Sequence, residues 1–224
     1  NYQETLDNMF TLAHELGHAM HSYYSDQNQE FINAAYTIFV AEVASTLNES
    51  LVMADLLEKT TEPKQRMYLL NHQLEQFRGT VFRQTMFAEF EMLVHGKIGQ
   101  GASVTADQLC EIYYELNKQY FGRDIFVDEL IAMEWARIPH FYRPFYVYKY
   151  ATGFSAAVSL SQQILKEGEP AVQRYLQFLG SGGSDYPLNL LKRAGVDMSK
   201  PDPIVEAMEV FEGLLDELED LARG

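Results

Sequence analysis

Helical periodicity runs through almost the whole of this 224-residue chain. Apolar side chains recur every three to four residues, the spacing that places them on one face of an α-helix. Glycine, proline and polar clusters separate these stretches, and no stretch alternates apolar and polar residues for long enough to indicate a β-strand. The predicted helices lie near residues 5–25, 31–60, 63–97, 105–121, 127–138, 142–167, 169–180, 185–194 and 203–222. We therefore predict an all-α fold.

The composition excludes several classes of partner. The net charge is −15, from 17 basic and 32 acidic residues, whereas nucleic acids and anionic membranes bind basic surfaces. With 47% hydrophobic residues, the chain can bury one sizeable core with room for a subdomain. The single cysteine, Cys110, cannot form an internal disulfide, and no segment resembles a signal peptide or a membrane span. We predict a cytoplasmic protein without nucleic-acid or membrane partners.

The pentapeptide HELGH at His14–His18 places three chemically active side chains on the first predicted helix. His14 and His18 are one turn apart and share a face, while Glu15 is rotated by about 100° from His14. Two imidazoles so placed can hold Zn²⁺, and the carboxylate can take a proton from the attacking water. The motif arises by chance in roughly one chain of this length in a hundred. The alternative is a core helix that happens to carry two histidines, but such a helix has no reason to bury Glu15 between them.

A third metal ligand is expected on the second long helix, because a peptidase zinc keeps three protein ligands and one position for water. Glu42 lies in the small, apolar run Val40–Ala44, where a carboxylate is costly unless it meets a cation. We predict Glu42 as this ligand, the alternative being a half-exposed surface carboxylate. Glu49 shares its face two turns on and could orient a motif histidine. Ser45 and Asn48 are alternative donors for that purpose.

The longer sequence context resembles a known family. HELGHAMHSYYS (His14–Ser25) followed by FVAEVASTLNE (Phe39–Glu49) resembles the oligoendopeptidase F family of thimet-oligopeptidase-like zinc metallopeptidases. The resemblance extends to HFYRPFYVYKYATG (His140–Gly153) and to LGSGGSDYPLNLLKRAGVDM (Leu179–Met198), so it covers most of the chain. It implies a neurolysin-like, zincin-type helical region in which the helix with the third ligand runs antiparallel to the HELGH helix.

The resemblance also implies a mechanism. One Zn²⁺ per chain is held by His14, His18 and Glu42, with Glu15 as the general base, and the enzyme hydrolyses internal bonds of short oligopeptides. The order of metal affinities does not by itself exclude Mn²⁺ or Co²⁺. Two alternatives remain open: a related helical zinc carboxypeptidase, and a weak or inactive zinc-binding fragment.

His140 begins a segment rich in tyrosine. A tyrosine hydroxyl or a histidine N–H can stabilise the oxyanion that forms when water attacks a peptide carbonyl. In the resembling family a histidine and tyrosines of such a loop have this role, which carries over to His140 with Tyr148 or Tyr150. For each tyrosine the alternative is aromatic packing.

His21 and the run Gly180–Gly183 resemble parts of sites found in other protein families. His21 follows His18 by three residues, whereas the third histidine of a metzincin follows the second by six, where this chain has Tyr24. We predict that His21 packs or supports a ligand and does not bind the metal.

The run Gly180–Gly183 lacks the lysine of a phosphate loop. It is either a flexing loop beside the cleft, as the resemblance implies, or a linker between helices.

The motif lies near the start of a chain that has no initiator methionine. We therefore expect residues 1–224 to be the catalytic region of a longer peptidase. Members of the resembling family are more than twice this long, and their N-terminal helical region forms the other wall of the substrate channel. That region is the expected partner of this chain, and the chain alone is expected to be much less active.

Overall fold

The computed structural model describes residues 2–223 and confirms the all-α class. Its α-helices are α1 (Leu6–Asn28), α2 (Phe31–Ala34), α3 (Ile38–Lys59), α4 (Pro63–Phe77), α5 (Arg83–Gly99), α6 (Ala106–Phe121), α7 (Tyr148–Glu167), α8 (Glu169–Leu179), α9 (Pro187–Ala194) and α10 (Asp202–Arg223). A π-helical turn (Arg78–Phe82) and two 3₁₀ segments (Glu129–Arg137 and Pro139–Tyr142) lie between them. Within residues 2–223, no helix is long and apolar enough to cross a bilayer.

Two predicted helices are interrupted, one begins later than predicted, and the stretch predicted at 127–138 forms the 3₁₀ segment Glu129–Arg137. The stretch predicted at 31–60 is broken by extended residues 35–37, and the π-helical turn interrupts the one predicted at 63–97. The helix predicted from residue 142 begins only at Tyr148. The reason for the last difference is Pro144, which lacks an N–H and disfavours helical geometry at Arg143.

The described chain forms two compact units, one of residues 2–77 with 152–223 and the other of residues 78–151. The core of the first unit brings α3 together with α7, α8 and α9. Its fully buried members include Val43, Leu47, Leu160, Leu179 and Leu191. The core of the second unit brings α5 and α6 together with the segment before α7. Its members include Phe87, Phe90, Tyr113, Ile138 and Val147.

Helices α1 and α3 of the first unit pack side by side and run antiparallel. Phe10 packs with Met53 at one end of this contact, and the Asn48 side-chain amide donates to the Ala13 carbonyl oxygen at 2.6 Å. Further along α1, Gly17 lies against the backbone of residues 44–45. Rising residue numbers on α1 therefore meet falling numbers on α3, which brings the HELGH motif alongside the start of α3.

Gly17 allows the backbones of α1 and α3 to approach each other. A Cβ at this position would lie 2.5 Å from Ser45 Cα and 2.7 Å from the Ala44 carbonyl oxygen, and neither atom can rotate away. We expect Gly17→Ala to lower the free energy of unfolding by about 2 kcal/mol, as overpacking does, despite the higher helix propensity of alanine. Urea unfolding followed by circular dichroism measures the change. Gly213→Ala, in α10 of the same unit with no atom within 4 Å of its Cβ, is the matched control; equal changes in the two variants would contradict this account.

The run Gly180–Gly183 connects α8 to α9 and packs against the residues that follow α1. The Gln29 side-chain amide donates to the Gly180 carbonyl oxygen at 2.7 Å. Gly182 has φ 51°, and a Cβ there would overlap the Asn33 carbonyl oxygen. Close backbone approach thus explains why glycine stands here, and these contacts favour the linker interpretation of the run.

Candidate metal centre

Three metal-binding side chains converge where α1 meets α3. The Glu42 Oε2 atom lies 3.2 Å from His14 Nε2 and 3.7 Å from His18 Nε2. Within residues 2–223, His14, His18 and Glu42 are the one set of at least three histidine, cysteine or acidic side chains whose ligand atoms all lie within 4.8 Å of one another. The sequence predicted these three residues as ligands, and the structure brings them together.

The spacing of the three atoms suits a small divalent cation. Tetrahedral ligands at zinc–ligand distances of about 2.0–2.1 Å lie roughly 3.3 Å apart, close to the separations of Glu42 Oε2 from the two imidazoles. The rings of His14 and His18 are nearly perpendicular, with an interplanar angle of 85°, and the ligand atoms of the two histidines and Glu42 all lie within 4.8 Å of one another. Two imidazoles and one carboxylate form a donor set found in catalytic zinc sites.

Glu49 and Gln76 fix the orientation of His14. The His14 Nδ1–H donates to Glu49 Oε1 at 2.5 Å, and the Gln76 amide donates to Glu49 Oε2 at 2.8 Å. Because Glu49 holds a proton on Nδ1, Nε2 is the His14 nitrogen that faces Glu42, and its lone pair becomes available when a metal ion displaces the Nε2 proton. The sequence pattern indicated Glu49 but not Gln76, which belongs to α4 and comes close only through packing of the first unit.

The electrostatics of the site favour a cation. Hydrogen bonds with Glu42 and then with Glu49 raise the pKa of His14 to about 10. The His14 hydrogen bond lowers the pKa of Glu42 below its usual range. Two carboxylates gathered on one half-buried imidazole thus hold a positive charge between them, and a divalent ion satisfies the same need.

The other residues of the HELGH helix and of α3 have distinct environments. Glu15 is exposed on α1 and is not part of the metal-binding group. The Ser45 hydroxyl donates to Glu42 Oε2 at 3.2 Å, which makes it a partner of the third ligand. Asn48, the other donor considered, instead joins the two helices through the Ala13 carbonyl oxygen.

His21 is a packing residue. It is 1% exposed, its ring stacks on Tyr36 with centroids 3.6 Å apart, and Phe178 lies at 5.4 Å. Its Nδ1 atom has no hydrogen-bond partner within residues 2–223. Burial, with a smaller contribution from the charge of His18, lowers the pKa of His21 to about 4.

Replacing His21 is expected to reduce acid sensitivity. The unfolded chain protonates this histidine near its ordinary pKa of about 6.5, whereas the folded chain does so only near 4. Neutral His21 therefore contributes fully to the free energy of unfolding above about pH 6.5, and this contribution is lost as the pH falls towards 4. Between about pH 7 and about pH 4.5, the free energy of unfolding of the metal-free wild type should fall on the order of 2–3 kcal/mol further than that of metal-free His21→Phe. Urea titrations at both pH values test this, with Gln27→Ala, an exposed and non-titrating position of α1, as the control; a wild-type pH slope in His21→Phe would contradict it.

The tyrosine-rich segment lies in the second unit. The Tyr150 hydroxyl is 3.2 Å from His140 Nε2, and the Tyr146 ring stacks on His140 with centroids 5.7 Å apart. Tyr148, the first residue of α7, is 39% exposed. Of the two predicted tyrosines, the structure therefore brings Tyr150 to His140, and it adds Tyr146, which the sequence did not distinguish from its aromatic neighbours.

Comparison with known proteins identifies the relatives of this chain. The sequence model of peptidase family M3 matches residues 1–210. Oligopeptidase PepF of Bacillus subtilis is 56% identical over 221 residues, which cover 99% of this chain and 33% of that protein. The plasmid oligoendopeptidase F of Lactococcus lactis is 47% identical, covering 99% of this chain and 37% of that protein. The crystal structure of oligoendopeptidase-F from Enterococcus faecium matches with a TM-score of 0.88 at 46% identity, over 97% of this chain and 40% of that one. The chain thus spans about a third of the length of the curated relatives it matches.

Proposed function

The chain belongs to peptidase family M3, and from this premise we propose that it is the zinc-binding catalytic region of an endopeptidase that hydrolyses short oligopeptides. The observation that carries the proposal is the convergence of His14, His18 and Glu42 within 4.8 Å. The names of the relatives, an oligopeptidase and an oligoendopeptidase, supply the substrate class. Cleavage of internal bonds is likewise carried over from the relatives.

The proposed metal site gives a reason for His14 and His18 of α1 to face Glu42 of α3. His14, His18 and Glu42 would hold one Zn²⁺, and Mn²⁺ or Co²⁺ can use the same donors. When bound, Zn²⁺ polarises the scissile carbonyl and lowers the pKa of water. Glu49, itself bonded by Gln76, keeps the His14 proton on Nδ1 and the ring in its ligating orientation.

Glu15 is the proposed general base. It accepts a proton from the attacking water and delivers it to the amine nitrogen that leaves. His140, together with Tyr148 or Tyr150, donates hydrogen bonds to the oxyanion of the tetrahedral intermediate. The 3.2 Å contact between His140 and Tyr150 favours Tyr150 over Tyr148 for this role.

The rest of a longer peptidase is the proposed partner, because the matched relatives are about three times as long as this chain. An N-terminal helical region would close the channel and exclude water from the reaction. The isolated chain would then bind zinc but turn over slowly. The charge of −15 and the single cysteine support a cytoplasmic location without nucleic-acid or membrane partners.

A blocked peptide tests the reaction class. The zinc-loaded chain is expected to cleave an N-acetylated, C-amidated oligopeptide at an internal bond, much more slowly than the Bacillus subtilis relative does, and chelation of the metal should stop cleavage. Mass spectrometry of the products measures the site and rate. Release of single C-terminal residues, seen only with a free carboxylate, would instead identify a carboxypeptidase. Equal turnover by the chain and the longer relative would refute the need for the remaining region, whereas zinc binding without any cleavage would identify an inactive fragment.

A further inference from the structure

Glu91 of α5 is a buried carboxylate that the proposed mechanism does not use. Its side chain belongs to the second unit and the residue is 4% exposed. Oε1 accepts the Phe145 backbone N–H at 2.9 Å, whereas Oε2 is buried without a hydrogen-bond partner in the described part of the chain. Burial raises the pKa of Glu91 even though the Phe145 bond opposes the shift. A core position has no reason to contain such a group unless its single bond matters.

The bond acts on a backbone conformation that side chains disfavour. Phe145 has φ 60°, and no other non-glycine residue within residues 2–223 has a positive φ. A residue with a Cβ rarely adopts this left-handed conformation. Two residues of α5, one turn apart, hold it there: Glu91 binds the amide, and the His95 ring lies 4.9 Å from the Phe145 ring.

Phe145 lies between the two parts of the tyrosine-rich segment. His140 is in the 3₁₀ segment before it, and α7 begins with Tyr148 after it. The path of the chain at residue 145 therefore decides whether the Tyr150 hydroxyl reaches His140 Nε2, as it does at 3.2 Å. Buried Val147 anchors the far side of the turn, so the left-handed residue is the point at which the segment can relax.

We propose that Glu91 is a positioning residue: by binding the amide of left-handed Phe145, it holds the segment in the conformation that brings Tyr150 to His140. A carboxylate suits this task because it only accepts hydrogen bonds and binds an N–H more strongly than a neutral oxygen does. The catalytic consequence rests on the proposed oxyanion role of His140 and Tyr150. The structural consequence does not, and it can be measured in the metal-free chain.

The structural test is the His140 Hε1 resonance in NMR spectra of the metal-free chain, assigned with a His140→Gln variant. Glu91→Met removes the acceptor at similar volume and should shift and broaden this resonance, whereas Glu91→Gln retains an acceptor oxygen and should leave it near its wild-type position. Adding Phe145→Gly to Glu91→Met should restore the resonance, because glycine adopts positive φ without steric cost. Glu89→Met is the matched control, since Glu89 of α5 instead accepts the Tyr120 hydroxyl at 2.9 Å.

A second pair of variants avoids changing the core. At the exposed position 145, Phe145→Gly should preserve the His140 resonance and Phe145→Val should displace it, because a β-branched residue tolerates the left-handed region poorly. If Phe145→Val, or a folded Glu91→Met chain, keeps the wild-type resonance, the proposal is overturned. In the zinc-loaded chain, Glu91→Met should lower kcat about 10- to 100-fold, as small misplacements do, with unchanged zinc affinity. A displaced resonance with unchanged kcat would uphold the positioning role and refute the oxyanion role of His140.

Discussion

Glu15→Gln is expected to slow peptide hydrolysis severely while the chain keeps its metal. The amide has nearly the same size as the carboxylate but cannot accept a proton from water. Loss of a general base typically costs 10²- to 10⁴-fold in rate, and we expect kcat to fall by about this factor. Metal affinity should not change, because Glu15 is exposed on α1 and lies outside the group formed by His14, His18 and Glu42.

The measurement pairs cleavage of a blocked oligopeptide with metal content on the same samples. Glu58→Gln, an exposed glutamate of α3, is the control and should behave like the wild type. A Glu15→Gln chain that keeps both its metal and its activity would show that another group takes the proton. Loss of the metal together with activity would show that Glu15 supports the site and does not serve only as a base.

Glu42→Ala is expected to remove the metal. Of the three donors it is the carboxylate, and its Oε2 atom is the one that approaches both imidazoles, at 3.2 and 3.7 Å. Without it, two histidines on one helix turn remain, which is one ligand short of a peptidase site. We expect the dissociation constant for Zn²⁺ to rise by more than about 100-fold, beyond the effect of losing an outer partner of a ligand. Competition with a chromophoric chelator measures it.

Glu49→Ala is the matched control for Glu42→Ala, because both positions lie on α3 and both carboxylates contact His14. Glu49 binds Nδ1, the nitrogen that faces away from the metal position, so its loss should weaken Zn²⁺ binding by about 10- to 100-fold. Circular dichroism establishes that both variants remain helical. A larger loss of affinity in Glu49→Ala than in Glu42→Ala would reverse the assignment of the third ligand.

The metal-binding group could be predicted from sequence because helix geometry fixes most of it. His14 and His18 share a face by spacing alone, and Glu42 stands out as an acid in an apolar run. Glu49 follows from the same face of α3. Gln76 could not be found this way, because it reaches Glu49 only through the packing of α4. Nothing in the sequence distinguishes it from a surface glutamine.

The tyrosine-rich segment was harder to predict because its geometry is not periodic. The apolar pattern predicted a helix from residue 142, but Pro144 delays its start and α7 begins at Tyr148. The left-handed conformation of Phe145 has no signal in a phenylalanine, since glycine or asparagine normally marks such turns. Glu91, which binds that residue, lies on another helix and becomes visible only in the folded chain.

The zinc content and X-ray absorption spectrum of the purified chain test the central claim most directly. The account predicts one Zn²⁺ per chain, bound only by nitrogen and oxygen at about 2.0–2.2 Å, with the scattering pattern of two imidazoles. A chain that binds no stoichiometric zinc would contradict it. A sulfur ligand at about 2.3 Å would do so as well, because it would have to come from Cys110 or another sulfur outside His14, His18 and Glu42.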